Sequence, residues 1–506
     1  MTAQIVGEDI LIQTQYAPEM RSLGAKWDLT AGLWRLPATR MNAKLVSDAL
    51  PGEDALSVPL DTPATVSDTR LYPYQRDAAA RLATCKHGLL VCLSPGLGKT
   101  AVAIAAADIA VPDDRIIVVA PASLLRTWER EIGKWSTVKG GVYVVQGKLD
   151  FAAAKTARWI VMSWDKMTRE ADALGKGWPV VILDESVLAK SRTSKRFKAM
   201  DKLRRTISRV WLLSGSPTTR YADDLWAQLH LIWPHAYSSY WRFAERYCVV
   251  EETPWARVVT ATKHGRDAAA ENSDMMLVVN QEDVLDLPEY LFEQIDVDLA
   301  GKQKTAYDSM AKSFIAELSD GTEVVAANEI AKLVRLQQIA SYWDGESAKH
   351  DALMDVIESF EPPYLIWTHW VAGAEQLAFR LHDEGYDVRH VGGNTTPRRR
   401  DEYLESFKRG EFPALVLSLG VGKFGHTFTN VKTVFSVDRT FNADDYFQSL
   451  HRVRRIGLTH RPVWTSLTAR GTVDELTVGD NLQAKLESIA KMTRADLASL
   501  LKGMGR

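Results

Sequence analysis

Leu89-Leu-Val-Cys-Leu-Ser-Pro-Gly-Leu-Gly-Lys-Thr100 is the stretch that decides the fold of this chain. Its first half is an apolar run, its second half is a glycine-rich turn, and the alanine-rich segment Ala101–Ala110 that follows favours a helix. This order places the first N–H groups of a helix beside a flexible turn, an arrangement that cradles phosphate groups. The stretch therefore predicts a nucleotide site between a buried strand and a helix.

Each residue type in this turn has a chemical role. Glycines let the backbone approach the phosphates, Lys99 would pair with the β- and γ-phosphates of ATP, and the Thr100 hydroxyl would hold Mg²⁺. The candidate nucleotide-binding residues of the turn are Pro95, Gly96, Leu97, Gly98, Lys99, Thr100 and Ala101. The strict G-x-x-x-x-G-K-[ST] pattern would place glycine where this chain has Leu93, so the shorter G-x-G-K-T core remains. An ordinary strand-to-helix turn is the alternative interpretation.

Size and composition favour a multi-domain globular protein. With 506 residues the chain is too long for one core, and its formal net charge of −2 means that any nucleic acid must be held by local basic patches. Three cysteines fit neither a disulfide framework nor a zinc site, so we expect buried thiols. No apolar run is long enough to span a bilayer, and no secretory signal is evident. We expect a monomer in the cytoplasm of a bacterium or of a virus-infected host, or in the nucleus of a eukaryote, without a membrane partner.

Short apolar runs alternate with helical patterns in two series, which predicts an α/β fold with two tandem RecA-like, doubly wound parallel-sheet lobes. The predicted strands are Ile116–Ala120, Trp159–Ser163, Val180–Leu183 and Val210–Leu213 in the first series, and Tyr364–Trp367, Val388–Val391, Ala414–Ser418, Thr433–Val437 and Val463–Leu467 in the second. The expected organisation is a small α+β module at 1–50, a linker at 51–69, lobe 1 at 70–235, a mostly helical inter-lobe region at 236–345, lobe 2 at 346–480 and a C-terminal helix at 481–506.

Two further groups of residues carry chemistry. Asp184 and Glu185 follow the buried run Val180–Leu183, at the sheet edge where ligands bind, so Asp184 could hold Mg²⁺ and Glu185 could orient the attacking water. The alternative is the start of a solvated loop. Gln448, Arg452 and Arg455 are spaced four and three residues apart, which predicts one helical face whose guanidinium groups reach the γ-phosphate. A surface charge cluster is the alternative there.

The ordered set of motifs resembles the superfamily-two helicases, and most of all the Swi/Snf-type double-stranded DNA translocases, over roughly residues 70–480. Leu71-Tyr-Pro-Tyr-Gln75 is similar to the motif whose glutamine reads adenine, so the resemblance implies nucleotide binding by Gln75. Leu213-Ser-Gly-Ser-Pro217 is similar to the motif that couples hydrolysis to lobe movement, and Gly471-Thr-Val-Asp-Glu475 to the family's closing brace. Lys349 resembles part of the entry to the second lobe.

The resemblance also implies contacts with double-stranded or branched DNA. The candidate DNA-binding residues are Ala122, Ser123, Ser163, Trp164, Lys190, Arg192, Lys195, Thr368, Ser418, Leu419 and Gly420. The three basic residues lie in the run Lys190-Ser-Arg-Thr-Ser-Lys-Arg196, for which a solvated basic loop is the alternative. Backbone contacts of this kind would make binding sequence-tolerant and salt-sensitive.

One position departs from the family's pattern, and the N-terminal module resembles a known domain more weakly. The family usually has histidine as the fourth residue of Asp-Glu-x-His, where this chain has Val187, so Ser186 or Gln448 would have to couple ATP and DNA differently. The 1–50 module resembles the small domain beside annealing helicases related to bacterial HepA. Its Trp27 and Trp34 are either DNA-stacking residues or the core of a small fold.

Taken together, the motifs predict an ATP-driven DNA translocase that uses ATP and Mg²⁺ in repair, recombination or replication. A strand-unwinding, branch-migrating or annealing helicase is the first alternative, although the sequence shows no clear strand-splitting insertion. A lobe pair that binds ATP and DNA without turnover is the second alternative, and a phosphate-release assay with and without DNA separates it from an active enzyme.

Overall fold

The computed structural model describes residues 2–14, 17–49, 56–174, 178–317, 323–422, 426–438 and 443–475. Its described residues divide into two compact units, with the boundary between Val284 and Leu285. The predicted C-terminal helix at 481–506 lies outside the described residues, as does part of the predicted linker. The rest of that linker, from residue 56 to residue 68, contains neither helix nor strand.

The N-terminal module is an α+β element that packs on the rest of the first unit. Its described elements are β1 (Thr2–Val6), β2 (Asp9–Gln13), α1 (Ala17–Ser22), β3 (Lys26–Asp28), β4 (Leu33–Pro37) and α2 (Arg40–Ala49). The strands form an antiparallel sheet in the order β1-β2-β4-β3. Trp34 is buried in the module's core, whereas Trp27 is 45% exposed and contacts Trp34 edge to face at 5.2 Å. One tryptophan is thus a core residue, and the other presents part of its ring to solvent.

Several polar contacts attach this module to the lobe. The backbone N–H of Arg40 donates to Asp274 at 2.9 Å, and its guanidinium donates to the Ser273 hydroxyl at 2.7 Å. Asp48 pairs with Arg266 at 3.3 Å, and Met41 of α2 packs into the main apolar core of the first unit. The module is therefore a fixed part of this unit.

The described part of the first lobe is built on a seven-stranded parallel sheet in the order β13-β5-β10-β9-β6-β8-β7. Its elements are α3 (Pro73–Thr84), β5 (Gly88–Leu93), α4 (Lys99–Ala110), β6 (Ile116–Ala120), α5 (Leu125–Trp135), β7 (Gly141–Val144), α6 (Phe151–Thr156), β8 (Ala157–Ser163), α7 (Trp164–Glu170), β9 (Trp178–Asp184), α8 (Lys195–Arg204), β10 (Ile207–Ser214), α9 (Asp224–Ile232), α10 (Tyr240–Tyr247), β11 (Cys248–Glu252), β12 (Arg257–Thr262), α11 (Ala268–Glu271), β13 (Met276–Val279) and α12 (Gln281–Val284). All residues of β5 are buried, as expected for a strand covered on both faces.

The described residues of the second unit form a six-stranded parallel sheet in the order β14-β21-β20-β17-β19-β18. Its elements are β14 (Leu291–Val297), α13 (Gly301–Ser313), β15 (Ile315–Glu317), β16 (Glu323–Val325), α14 (Glu329–Ser341), α15 (Ala348–Val356), β17 (Tyr364–Thr368), α16 (Val371–Asp383), β18 (Val388–Val391), α17 (Pro397–Lys408), β19 (Ala414–Ser418), α18 (Leu419–Gly422), β20 (Thr433–Ser436), α19 (Ala443–Leu450) and β21 (Val463–Ala469). The two predicted parallel-sheet lobes are confirmed.

The region 236–345 differs from its predicted, mostly helical character. The long helices α13 and α14 are present, but β13 joins the first sheet beside β5, and β14 joins the second sheet beside β21. The hairpin of β11 and β12 also lies here. The sequence prediction missed these strands because β12 and β14 are largely exposed or half-buried and so lack the continuous apolar run used to find the others.

All three cysteines are unpaired and buried, as predicted. Among the described helices, none has the length and apolar character needed to cross a membrane.

Candidate functional site

The phosphate turn follows β5 with the geometry that its glycines predict. Gly96 has φ +95° and Gly98 has φ +79°, a left-handed conformation that side chains disfavour. α4 begins directly after Gly98, at Lys99, so its first N–H groups face the turn. The Lys99 ammonium donates to the Leu93 carbonyl at 3.0 Å, which holds the lysine over the turn. This geometry suits the predicted phosphate site, which one continuous stretch of chain would form.

Gln75 braces this turn. Its Nε2 donates to the Leu97 carbonyl at 3.0 Å, while its Oε1 accepts from the Tyr72 N–H at 2.9 Å. A Cβ on Gly98 would lie only 2.4 Å from the Gln75 Nε2, so glycine is required for this close approach. The resemblance implied that Gln75 reads adenine. In the structure the amide nitrogen and oxygen of Gln75 both form hydrogen bonds with the backbone, so Gln75 positions the phosphate turn. Its contact with an adenine base stays a prediction.

The acidic pair lies on the same edge of the sheet as the phosphate turn. β10 pairs with β5 on one side and β9 on the other, and Leu213 is opposite both Val91 and Asp184. The carboxyl ends of these strands therefore lie side by side. Burial raises the pKa of Asp184, although the hydrogen bond from Trp128 and the charge of Lys99 act to lower it. The phosphate turn and the acidic pair form one site within the first unit.

The Asp184 carboxylate is held from two sides. Trp128 of α5 donates its indole N–H to Oδ2 at 2.9 Å, and the N–H of Glu185 donates to Oδ1 at 3.0 Å. Since burial disfavours the charged form, a divalent cation beside this carboxylate would offset that cost. In the described part of the chain, no group of three or more His, Cys, Asp or Glu residues is arranged to hold a metal ion. Mg²⁺ at Asp184 and Thr100 stays a prediction, and it would need phosphate oxygens and water as further ligands, as is usual for this ion.

Glu185 has an unusual backbone conformation for a residue with a side chain, with φ +49° and ψ +54°. It lies immediately after β9 and is half-buried. A left-handed residue at this point turns the chain sharply out of the strand and fixes the direction of the Glu185 side chain. Strained conformations of this type are characteristic of residues whose orientation matters for function.

Ser186 connects the acidic pair to a neighbouring helix. Its hydroxyl donates to Gln228 Oε1 at 2.7 Å, and Gln228 Nε2 donates to the Pro217 carbonyl at 2.6 Å. Val187 is buried. The acidic pair is therefore connected through Gln228 of α9 to the Leu213–Pro217 segment. The sequence prediction named Ser186 as one possible residue for coupling but missed Gln228, which the sequence does not distinguish from Asp224 and His230, the other polar residues of the same helix.

The Leu213–Pro217 segment also contacts the phosphate turn. A Cβ on Gly215 would lie 3.1 Å from Pro95 Cγ and 3.5 Å from the Lys99 ammonium. A larger residue would press on Pro95, so glycine permits this approach. The Leu213–Pro217 segment thus lies between the phosphate turn and Gln228 within one lobe.

The predicted DNA-binding residues of the first unit follow β6 and β8, on the same edge of the sheet as the nucleotide site. Ala122 and Ser123 are exposed on a single helical turn after β6. The Ser163 hydroxyl accepts from the Lys166 N–H at 3.2 Å and so caps α7. Trp164 differs from its prediction because it is buried and donates to the Asp184 carbonyl at 2.9 Å. Its side chain supports the acidic strand and is not available to DNA.

The basic loop after the acidic pair carries four cations, of which Lys190 and Arg196 pair with carboxylates of the same lobe. Lys190 donates to the Thr219 hydroxyl and lies 3.3 Å from Asp224 Oδ2, so its charge is already paired within the lobe. Arg192 and Lys195 are exposed. The structure therefore leaves Arg192 and Lys195 as candidate DNA contacts and gives Lys190 a structural role that the sequence did not predict.

The predicted DNA-binding residues of the second unit lie at the carboxyl ends of two paired strands. Thr368 ends β17 and Ser418 ends β19, and the two residues are opposite each other in the sheet. They are 1% and 5% exposed, and within the described residues neither hydroxyl has a hydrogen-bond partner; the same holds for Nε2 of His390 on β18. Burial also lowers the pKa of His390. Beyond Ser418, Leu419 is buried and Gly420 is exposed.

Gln448, Arg452 and Arg455 do not share a helical face, contrary to the prediction. α19 ends at Leu450, and both arginines lie on the turns that follow it. The Arg452 N–H donates to the Ser449 carbonyl at 3.1 Å, three residues back, and the Arg452 carbonyl accepts from the Phe428 N–H at 2.8 Å. The two guanidinium groups are nevertheless brought together by one segment.

Consecutive residues on that segment hold the two arginines. Arg452 donates to the His426 carbonyl at 3.2 Å, and Arg455 donates to the Thr427 hydroxyl at 2.7 Å. Tertiary contacts therefore supply the proximity that helical spacing was expected to supply.

A buried ion cluster in the second unit escaped the sequence prediction. The Lys349 ammonium, only 1% exposed, lies 2.8 Å from Asp474 Oδ2 and 3.9 Å from Asp438 Oδ1, and it donates to the Val437 carbonyl at 2.9 Å. Asp438 in turn accepts from the His369 N–H at 2.7 Å. The cluster connects α15, the end of β20 and the Gly471–Glu475 segment. Only the tertiary fold brings these distant residues together.

Comparison with known proteins identifies the family. A model described as the SNF2-related domain matches residues 33–342, more than half of the 506 residues. The chain belongs to the SNF2-related family. A second model, the helicase conserved C-terminal domain, matches residues 348–457. This membership confirms the predicted helicase superfamily and ATP as its nucleotide.

Relatives of this SNF2-related chain include two vertebrate proteins. One is the SWI/SNF-related matrix-associated actin-dependent regulator of chromatin subfamily A-like protein 1 of Xenopus tropicalis, 25% identical over 80% of this chain and 43% of the relative. The other is the DNA annealing helicase and endonuclease ZRANB3 of Bos taurus, 24% identical over 81% of this chain and 39% of the relative. The chain thus spans about two fifths of their length.

Among solved structures, the SWI2/SNF2 ATPase core of Sulfolobus solfataricus in complex with dsDNA has a TM-score of 0.41 and 22% identity, over 86% of this chain and 99% of that one.

Proposed function

We propose that this chain is a DNA-dependent ATPase that converts ATP hydrolysis into movement along double-stranded DNA. The observation that carries the proposal is the single site at the carboxyl edge of the first sheet. There a phosphate turn with Lys99 and Thr100 lies on the same edge as the buried Asp184 and the reoriented Glu185. The presence of both groups also argues against a lobe pair that binds ATP without turnover.

The chemistry of this site is phosphoryl transfer to water. The N–H groups of the turn and the start of α4 bind the phosphates, Lys99 places a positive charge on them, and Glu185 orients the attacking water and accepts its proton. Mg²⁺ bound by Thr100 and Asp184 would supply further neutralisation of phosphate charge. Gln448, Arg452 and Arg455 are proposed to stabilise the charge of the transition state, as arginines do in related enzymes.

DNA is the proposed partner because exposed or unsatisfied groups follow the strands at this edge of each sheet. Ala122 and Ser123 present backbone and hydroxyl groups, and Arg192 and Lys195 present charges. Thr368, Ser418 and Gly420 would add hydroxyl and amide donors in the second unit. Contacts of this type bind phosphate oxygens without reading sequence, which a motor that steps along DNA requires. The name of ZRANB3, a DNA annealing helicase, supports DNA as the substrate.

Steady-state phosphate release with and without duplex DNA tests the proposal. We expect the wild-type chain to hydrolyse ATP faster with DNA, and the variant Lys99→Ala to lose this activity by at least about 100-fold. Exposed Lys44 on α2 offers a matched control, because Lys44→Ala removes the same charge far from the turn in sequence. Equal hydrolysis by Lys99→Ala and the wild type would refute the assignment of this site.

A further inference from the structure

The hairpin of β11 and β12 is a projecting element that none of the predicted roles uses. Its base is anchored in the first lobe, because Cys248 is fully buried in the apolar core and the Thr262 hydroxyl accepts from the Ala222 N–H at 3.1 Å. Antiparallel pairing runs from Cys248–Thr262 at the base to Glu252–Arg257 near the tip. The tip therefore has a fixed position relative to the lobe.

The tip presents an aromatic ring to solvent. Thr253-Pro254-Trp255-Ala256 forms the turn, in which the Thr253 N–H donates to the Ala256 carbonyl at 2.9 Å and the Ala256 N–H donates to the Thr253 hydroxyl at 3.0 Å. Trp255 is 94% exposed, and Val249 and Val258 on the same hairpin are each 40% exposed. A well-ordered turn that holds a tryptophan in water together with neighbouring apolar residues indicates an interaction surface.

The second strand of the hairpin is connected to the candidate DNA-binding loop through the Trp241 ring. The Arg192 guanidinium lies over the Tyr240 ring at 4.5 Å and over the Trp241 ring at 5.6 Å. On the hairpin side, Arg257 lies over the same Trp241 ring at 4.6 Å. Two arginines thus share one indole, and this stack connects the loop that carries Arg192 to the second strand of the hairpin.

The charges near the tip favour a base over a phosphate as the ligand of Trp255. Glu251 and Glu252 are exposed on β11, next to the turn, and would repel a phosphate group. A neutral indole instead binds the face of a nucleobase, whose stacking is independent of sequence. An intact duplex offers no free base face, because every base is stacked between its neighbours.

We propose that Trp255 stacks on a nucleobase exposed where a DNA duplex ends or forks, while Arg192 and the basic loop hold the adjoining duplex backbone. The hairpin would then make the motor selective for junctions over continuous duplex. This inference rests on the proposed function, since it names the form of DNA that the same enzyme prefers.

Two DNA substrates separate the hairpin from the motor. A forked duplex exposes bases at its junction, whereas a covalently closed, relaxed circular duplex has neither ends nor forks. For Trp255→Ala we expect about tenfold more forked DNA to be needed for half-maximal ATPase stimulation, with an unchanged requirement for the circular duplex. Trp255→Phe should retain most of the fork response, because a phenyl ring also stacks. Phe379→Ala, which removes a 63% exposed aromatic in the second unit, is the matched control and should behave as the wild type.

The outcomes are distinct. An unchanged fork response in Trp255→Ala, or an equal loss with both DNA substrates, would overturn the proposal for the hairpin while leaving the ATPase assignment intact. A wild-type chain that neither DNA stimulates would overturn the proposed function, and the hairpin proposal with it. A fluorescent 2-aminopurine at the fork gives an independent readout: the wild type should quench it more strongly than Trp255→Ala, and equal quenching would count against stacking.

Discussion

The carboxyl edges of the two sheets both carry buried polar groups, but only at the first edge does the protein satisfy their hydrogen bonds. On the first edge, Asp184 is hydrogen-bonded by Trp128 and by the backbone of Glu185. On the second edge, the buried hydroxyls of Thr368 and Ser418 have no hydrogen-bond partner among the described residues. A buried polar group without a partner costs about 1–3 kcal/mol. The first edge is thus already ordered by the protein, whereas the second edge keeps polar groups that a ligand could satisfy.

This difference agrees with the proposed catalysis by the acidic pair at the first edge and the proposed DNA contacts of Thr368 and Ser418 at the second. A catalytic carboxylate must be oriented before the reaction, since reorganisation would add to the barrier. Groups that bind DNA during translocation must instead form and break hydrogen bonds repeatedly. Five predictions test whether the two edges differ in this way.

Glu185→Gln should have the largest effect on the first edge. The amide keeps the size of the side chain but cannot accept the proton of the attacking water, so we expect hydrolysis to fall by about 1000-fold. ATP binding should stay within a few-fold of the wild type, because the phosphate turn is unchanged. Single-turnover hydrolysis and fluorescent-nucleotide titration check this, and a parallel loss of binding and turnover would mean that Glu185 has a structural role.

Lys349→Met should have the largest effect on stability, and it should act on the second unit. The substitution leaves Asp438 and Asp474 buried without their cation, which we expect to cost about 3–5 kcal/mol. Amide hydrogen exchange in α15 and β20 measures this locally. The double variant Lys349→Met with Asp474→Asn should recover part of the loss, because one unpaired charge is removed. If the double variant is less stable than the single one, charge is not the cause.

Trp128→Phe tests how the first edge is ordered. The phenyl ring fills most of the indole volume but donates no hydrogen bond to Asp184, so the carboxylate loses one of its two orienting contacts. We expect the magnesium concentration for half-maximal activity to rise about tenfold, in line with other changes to the partners of metal-binding groups. Trp211→Phe is a matched control, because Trp211 is also fully buried but its indole N–H has no partner among the described residues. Equal effects from the two variants would point to packing.

The second unit should lose stability in mild acid through His350. Burial lowers the pKa of His350 to about 3. In the unfolded chain the ring protonates near pH 6.5, so the unfolded state takes up the proton first, and the folded state loses about 2 kcal/mol from this group between neutral pH and pH 5. His350→Phe removes the titration and can keep the ring contact with Tyr342. Hydrogen exchange in α15 at pH 7 and pH 5 should show a smaller decrease for the variant, and an identical decrease would contradict this account.

Thr368→Val should have the smallest effect of the five changes. The direction of its effect on stability is the informative result. Because the hydroxyl has no partner in the described structure, its removal should leave stability unchanged or raise it by up to about 1 kcal/mol. Affinity for duplex DNA should nevertheless fall about fivefold, since a hydrogen bond to phosphate is lost. Thermal unfolding and DNA titration measure the two effects. A marked loss of stability would show that the second edge is ordered by the protein after all.

Local patterns in the sequence predicted much of this molecule, and tertiary contacts account for what they missed. The phosphate turn, the acidic pair and the strand runs could be predicted because each depends on adjacent residues. The burial of Trp164 and the pairing of Lys190 with Asp224 were not predicted, since both arise only when distant elements meet. Arg452 and Arg455 show the same limit: their spacing indicated one helical face with Gln448, but α19 ends at Leu450, before both arginines.

The docking of the N-terminal module has a practical consequence for dissecting this protein. Removing residues 1–49 would uncover the apolar surface that receives Met41. It would also remove the Arg40 N–H from Asp274 and take Asp48 away from Arg266, which would keep its contact with Glu271. A shortened chain would therefore be prone to aggregate, and its defects would report on solubility as much as on DNA handling. Substitution of Trp27, whose ring is partly exposed, would test the role of the module and leave its contacts with the lobe intact.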